Sequence, residues 1–104
     1  MQININTNNH VEGSQRMKDY FQGLVADSLK RFEDKVTRVE VHLGDENSHK
    51  EGDTDKKCTI EARIAGMQPV AVTNHSNTVE KAVDGAIDKI KKVLDTTFDK
   101  MRAH

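Results

Sequence analysis

The sequence predicts an α+β fold, a β-α-β-β-β-α two-layer sandwich in which two helices cover one face of a four-stranded sheet. Three observations predict it. Over residues 77–101, NTVEKAVDGAIDKIKKVLDTTFDKM, the apolar positions Val79, Val83, Ala86, Ile87, Ile90, Leu94, Phe98 and Met101 recur at steps of three and four. That spacing places them on one helical face, and a face that long needs a sheet to cover. The segments VTRVEVHL and KCTIEARIA alternate apolar with polar residues, the period of half-buried strands. Short connections join the last three strands, which therefore form an antiparallel meander.

At the start, QININT alternates as well: Ile3 and Ile5 point one way, Gln2, Asn4 and Asn6 the other. The helix that follows is a crossover, so this strand lies parallel to its neighbour at one side of the sheet. Residues 8–13 are a polar connection, and Ser14 is a helix cap. From Gln15 to about Asp34, Met17, Phe21, Leu24, Val25, Leu29 and Phe32 keep helical spacing. Gly23 inside this helix costs ~1 kcal/mol relative to Ala and is expected to mark a close approach to the sheet or to the other helix. In Val36–Leu43, Val39, Val41 and Leu43 face in while Arg38, Glu40 and His42 face out. Gly44–Asp55 has no apolar anchor and reads as a mobile hairpin loop. In Lys57–Ala65, Cys58, Ile60, Ala62 and Ile64 point inward. Gly66–Pro69 is a tight turn, and Val70–Thr73 a last strand with Val70 and Val72 inward. Ser76 or Asn77 caps the long helix, Glu80 and Asp84 suit its positive end, and Lys100 and Arg102 its negative end.

With 104 residues the chain makes one domain, residues 1–104. Aromatic residues are 4% of the chain, so the core comes mainly from aliphatic side chains. Sixteen basic and 17 acidic residues give a net charge of −1, which excludes a uniformly basic nucleic-acid binder but allows a local basic patch. Cys58 is the single cysteine and cannot form an internal disulfide, which points to a reducing compartment. No apolar run is long enough to span a membrane, and MQININTNNH does not read as a signal peptide. A cytoplasmic protein without a membrane partner is the expectation.

The basic residues of the long helix divide by angle. At 100° per residue, Lys89 and Lys100 share one flank of the apolar stripe with Ala82, Gly85, Val93 and Thr96. That flank carries no acid, as phosphate contacts require. Lys91 and Arg102 lie on the other flank near Asp84 and Asp95; Lys81 and Lys92 belong to the polar side. Arg16, Lys18, Lys30 and Arg31 of the first helix would extend the patch if both helices lie on one side of the sheet. The competing reading is a solvated helix face laced with pairs such as Asp84–Asp88–Lys92. His10, His42, His49, His75 and His104 are scattered, without the spacing of a zinc site. No nucleophile is set on an elbow beside a base, and no glycine-rich phosphate loop exists. Neither a metal, a cofactor, a small-molecule substrate nor an enzyme activity is therefore expected. On the uncovered sheet face, Arg38, Glu40, His42, Thr59, Glu61 and Arg63 offer either a further RNA-tracking surface or a protein contact.

The opening MQININTNNHVEG, the first-helix end LKRFEDK and above all VDGAIDKIKKVL resemble, in order and spacing, the short ribosome hibernation-promoting factors and ribosome-associated inhibitor A relatives of the sigma-54 modulation protein family. The resemblance covers nearly the whole chain. It implies a fold akin to double-stranded RNA-binding domains. It also implies a translation inhibitor that docks on the small ribosomal subunit, in the messenger and transfer RNA channel, during stress or stationary phase. Lys89 and Lys92 fall where the family has basic residues on the second helix, Lys18 at a basic position early in the first, and Lys30 near its basic end. After Leu94 this chain has Asp95, Thr96, Thr97 and Phe98 where the family continues with Lys or Arg. The sequence stops soon after that helix, so no dimerisation domain is expected, and the protein would be a monomer off the ribosome. The expected RNA contacts are Lys89, Lys92, Lys100, Lys81, Lys91, Lys18, Lys30 and Arg31. A small protein–protein adaptor using the open sheet face is the alternative.

Overall fold

The computed structural model describes residues 1–8, 14–45 and 56–102. Its elements are β1 (Gln2–Thr7), α1 (Gln15–Ser28), a 3-10 turn (Lys30–Phe32), β2 (Val36–Asp45), β3 (Lys56–Ile64), β4 (Val70–Ser76) and α2 (Val79–Arg102). The strands form one sheet in the order β1-β2-β3-β4. The crossover β1 runs parallel to β2, and the two later pairings are antiparallel. This is the predicted β-α-β-β-β-α sandwich. Most of the expected Gly44–Asp55 loop lies outside the described residues, as do His10, His49 and His104.

Alternation builds the core. Ile3, Val39, Val41, Leu43, Cys58, Ile60, Ala62 and Ile64 are buried on one face of the sheet. Val36 joins them because the register shifts between Val36 and Arg38. That bulge takes up Thr37, whose hydroxyl donates to the Arg63 carbonyl at 3.2 Å, and it lets residues three apart share a face. Helix α1 covers β1, while α2 covers β3 and β4. From α1 and the turn come Phe21, Val25, Leu29 and Phe32; from α2 come Ala82, Val83, Ala86, Ile87, Ile90, Leu94 and Phe98.

Several local expectations are corrected. Helix α1 ends at Ser28, not near Asp34. The Leu29 N–H makes the last α-type bond, to the Val25 carbonyl, and the Phe32 N–H then bonds to Leu29 in 3-10 fashion. The tighter turn swings Phe32 into the core beside Phe98, with ring centroids 5.7 Å apart. The cap of α2 is Thr78, whose hydroxyl accepts from the Lys81 N–H at 3.1 Å, rather than Ser76 or Asn77. Met101 is 44% exposed and not on the buried stripe, because it sits in the last turn beyond Phe98. Ala82, expected on the flank, is fully buried. Strand β4 continues past Thr73 to Ser76, following β3 down to the Lys56–Ser76 pair.

That extension makes Asn74 a third inward residue after Val70 and Val72. Its amide donates to the carbonyls of Ala82 (3.2 Å) and Lys81 (3.4 Å) in α2. The close approach expected at Gly23 is here instead: a Cβ on Gly85 would stand 2.1 Å from Asn74 Nδ2, whereas one on Gly23 meets nothing within 4 Å. Gly85 lets the helix lie down on β4.

The other sheet face is open, as expected. Arg38 stands opposite Arg63 and Glu40 opposite Glu61, like-charge pairs that disfavour the ladder. Each strand answers within itself, through Arg38–Glu40 and Arg63–Glu61 contacts. Glu40 also accepts from Asn4 and Asn6 of β1, both at 3.0 Å. The polar residues of the edge strand therefore pin it to β2 through one carboxylate. The Asn4 bond, with those of Asn6 and Arg38, holds that carboxyl below its ordinary pKa despite partial desolvation.

Two outcomes follow from these contacts. Gly23→Ala should stabilise the fold by roughly 0.5–1 kcal/mol, while Gly85→Ala should destabilise it; in an Asn74→Ala background that penalty should vanish, as a urea-denaturation double-mutant cycle would show. A carboxyl with a depressed folded pKa contributes stability above its unfolded pKa and loses it as pH falls through the folded one. The melting-temperature gap between wild type and Glu40→Gln should therefore be widest at neutral pH and close in acid; a gap constant with pH would remove the charge from the explanation.

Candidate nucleic-acid interface

Because α2 buries one face against β3 and β4, its remaining surface has two flanks of different chemistry. On the β4 flank, Lys89 folds back and its ammonium donates to the Thr73 carbonyl at 2.9 Å. It covers a carbonyl of an edge strand and brings positive charge over that edge. Lys81, Lys92 and Lys100 are exposed; by helical angle Lys100 shares the flank of Lys89, while Lys81 and Lys92 point outward from the sheet. None of these three makes an ion pair among the described residues. The Asp84–Asp88–Lys92 lacing of the competing reading does not form either. The ammonium groups of Lys81, Lys92 and Lys100 are available to an outside anion.

The opposite flank faces the end of α1. Arg31, on the 3-10 turn, makes a two-pronged contact with Asp95 of α2, at 2.6 and 2.8 Å. The Arg31 guanidinium holds the Asp95 carboxyl below the usual carboxylate range, with smaller help from Lys91 and Arg102, and Asp95 in turn raises Arg31. Arg102 contacts Asp99. Lys30 and Lys91 line the shallow cleft between the two elements together with Asp27, Glu33 and Asp34. Cations here are matched by acids.

The expected patch is thus divided. Lys89 and Lys100 remain together on the β4 flank, Lys81 and Lys92 lie on the outward side of α2, and Lys92 also borders the mixed groove that holds Lys91 and Arg31, with Lys30 in the cleft beside it. Lys18 is separate from both. It lines a hollow at the β1 edge with Gln15, Gln22, Arg38 and Glu40, where the Gln22 amide donates to the Ile3 carbonyl at 3.2 Å. Arg16 is exposed on α1. On the open face, Arg38 and Arg63 are each tied to a glutamate of their own strand. The Arg31–Asp95 contact is the feature that sequence reasoning missed. Its partners are 64 residues apart, and only the presence of Asp84 and Asp95 on that flank hinted at it.

Cys58 is fully buried, and burial pushes its thiol up to about 12; it is a packing residue, facing away from His42, which pairs with Thr59. Among the described residues no three His, Cys, Asp or Glu side chains converge. No described helix is long and apolar enough to cross a membrane.

Comparison with known proteins agrees with the fold. Residues 3–102 match the family model described as sigma 54 modulation protein / S30EA ribosomal protein. No curated protein sequence matches the chain. Among solved structures, the fold is similar to the N-terminal domain of Protein Y from Thermus thermophilus, with a TM-score of 0.73 at 20% identity, covering 93% of this chain and 99% of that one. It is also similar to a ribosomal subunit interface protein from Coxiella burnetii, with a TM-score of 0.66 at 18% identity and full coverage of both chains.

Proposed function

The chain belongs to the sigma 54 modulation protein / S30EA ribosomal protein family, and from that membership we propose that it is a ribosome-associated modulation factor acting by occupancy, without catalysis. The observation that carries this reading is the family match across residues 3–102, which takes in every described strand and both helices. The likeness in fold to a ribosomal subunit interface protein supports it. The finer reading is that it docks on the small ribosomal subunit, in the channel for messenger and transfer RNA. There it inhibits translation during stress or stationary phase, as a cytoplasmic protein that is monomeric off the ribosome.

The β4 flank of α2 is the surface we assign to ribosomal RNA. Lys100 makes no ion pair among the described residues there, Lys92 and Lys81 carry the unpaired charge around to the outward side of α2, and Lys89 adds its charge. Each cation set against a phosphate releases condensed counterions, so binding through this flank weakens as salt rises. Backbone contacts of this kind read the shape of structured RNA and not its base sequence. The near-neutral total charge is compatible with this, because two acids of α2 are already neutralised by arginines, Asp95 by Arg31 and Asp99 by Arg102.

Sucrose-gradient co-sedimentation with purified ribosomes tests the assignment. Wild type should travel with the small subunit and with whole ribosomes at low salt and be released as salt increases. Lys92→Glu/Lys100→Glu should stay at the top while keeping the wild-type melting temperature, since neither side chain is buried or paired. Undiminished sedimentation of that variant would remove the RNA contact from this flank. Failure of wild type to sediment even at low salt would favour a protein adaptor.

A further inference from the structure

Arg31 and Asp95 meet across the groove between the 3-10 turn and α2 with both guanidinium prongs engaged, at 2.6 and 2.8 Å. Lys91, Lys92 and Asp88 stand on the rim of this groove, and Lys35, Phe98 and Arg102 extend it toward the end of α2. Asp95 feels the charges of Lys91 and Arg102 as well as that of Arg31, while Asp99 holds Arg102 and Asp88 and Asp34 border the groove at its two ends. A planar oxyanion held by two parallel N–H bonds is also the way arginine takes a phosphate. The side chains of Arg31 and Asp95 are 55% and 45% exposed. The carboxylate can swing into water without a large desolvation cost.

We propose that this groove is a second seat for an RNA backbone phosphate, closed in the free protein by the Asp95 carboxylate. The proposal deepens the reading of α2 as the RNA-facing helix and rests on it. RNA held by Lys92, on the rim of this groove, brings its backbone alongside Arg31, where a phosphate displaces Asp95 and gains Lys91 as a further contact, while Arg102 stays with Asp99. A free phosphate ion lacks that anchoring and loses to a carboxylate tethered at high effective concentration. Asp95 therefore sets a threshold: it lowers affinity overall and excludes isolated anions. No side chain needs to move other than Arg31 and Asp95, which are on the surface.

Fluorescence anisotropy with a labelled RNA duplex, measured over a salt series, tests this. Asp95→Asn keeps the shape and a neutral acceptor for Arg31 but removes the competing charge. It should bind roughly three- to tenfold more tightly at low salt, with the log–log salt slope steeper by about one. Arg31→Gln/Asp95→Asn should lose both gains. Unchanged or weaker binding by Asp95→Asn, with binding still lost in Lys92→Glu/Lys100→Glu, would overturn the seat and leave the lysine flank standing. Tighter binding by Asp95→Asn with no effect of the two lysine substitutions would support the seat and overturn the flank. If neither wild type nor Asp95→Asn bound duplex RNA, both assignments would fall together.

Discussion

The packing of α2 against β3 and β4 is the constraint on which the rest of the structure depends. Seven residues of this helix are buried, from Ala82 to Phe98, and the apolar area they remove from water is the main favourable contribution to holding the two layers together. The contact is set locally by a small feature. Asn74 reaches from β4 to two helix carbonyls, and the missing side chain at Gly85 leaves room for it. Once the helix is seated that way, its angular positions have fixed surroundings. Lys89 falls over the β4 edge, Lys92 and Lys100 fall outward, and Asp95 falls toward Arg31.

From that placement comes a division of charge that the total of −1 conceals. On the α1 side Arg31 pairs with Asp95, and Lys30 and Lys91 share their cleft with Asp27, Glu33 and Asp34. On the β4 side Lys89 meets a backbone carbonyl, and Lys100 makes no ion pair among the described residues. The open sheet face follows the first pattern: its arginines stand directly across from each other, but each is matched to a glutamate two residues along its own strand. A protein can thus be neutral as a whole and still offer one face to a polyanion, because the field at a surface is made by nearby charges within about one Debye length.

Periodicity carried the sequence reading a long way. The inward sets of β1, β2, β3 and β4 and the stripe of α2 were legible because repeats of two and of 3.6 residues report directly on which side is buried. What was not legible depended on partners distant in sequence or on single backbone choices. Val36 is buried because a bulge at Thr37 breaks strict alternation. The end of α1 was misplaced because Leu29 and Phe32 keep apolar spacing through the change from α to 3-10 geometry. The two glycines exchanged roles: Gly23 lies on an exposed part of its helix, and only the position of Asn74 explains Gly85. The acid-free flank of Lys89 and Lys100 could be read from the chain, but the pairing of Arg31 with Asp95 required the fold.

Site-directed photo-crosslinking tests the central claim, that the β4 flank of α2 is the surface that meets RNA. A photoreactive residue at Thr96, on that flank between Lys92 and Lys100, is compared with one at Thr59 on the open sheet face, each incubated with purified ribosomes and irradiated. The account predicts crosslinks to small-subunit RNA from position 96 and none from position 59. RNA crosslinks from position 59 alone would contradict it and move the interface to the other side of the sheet.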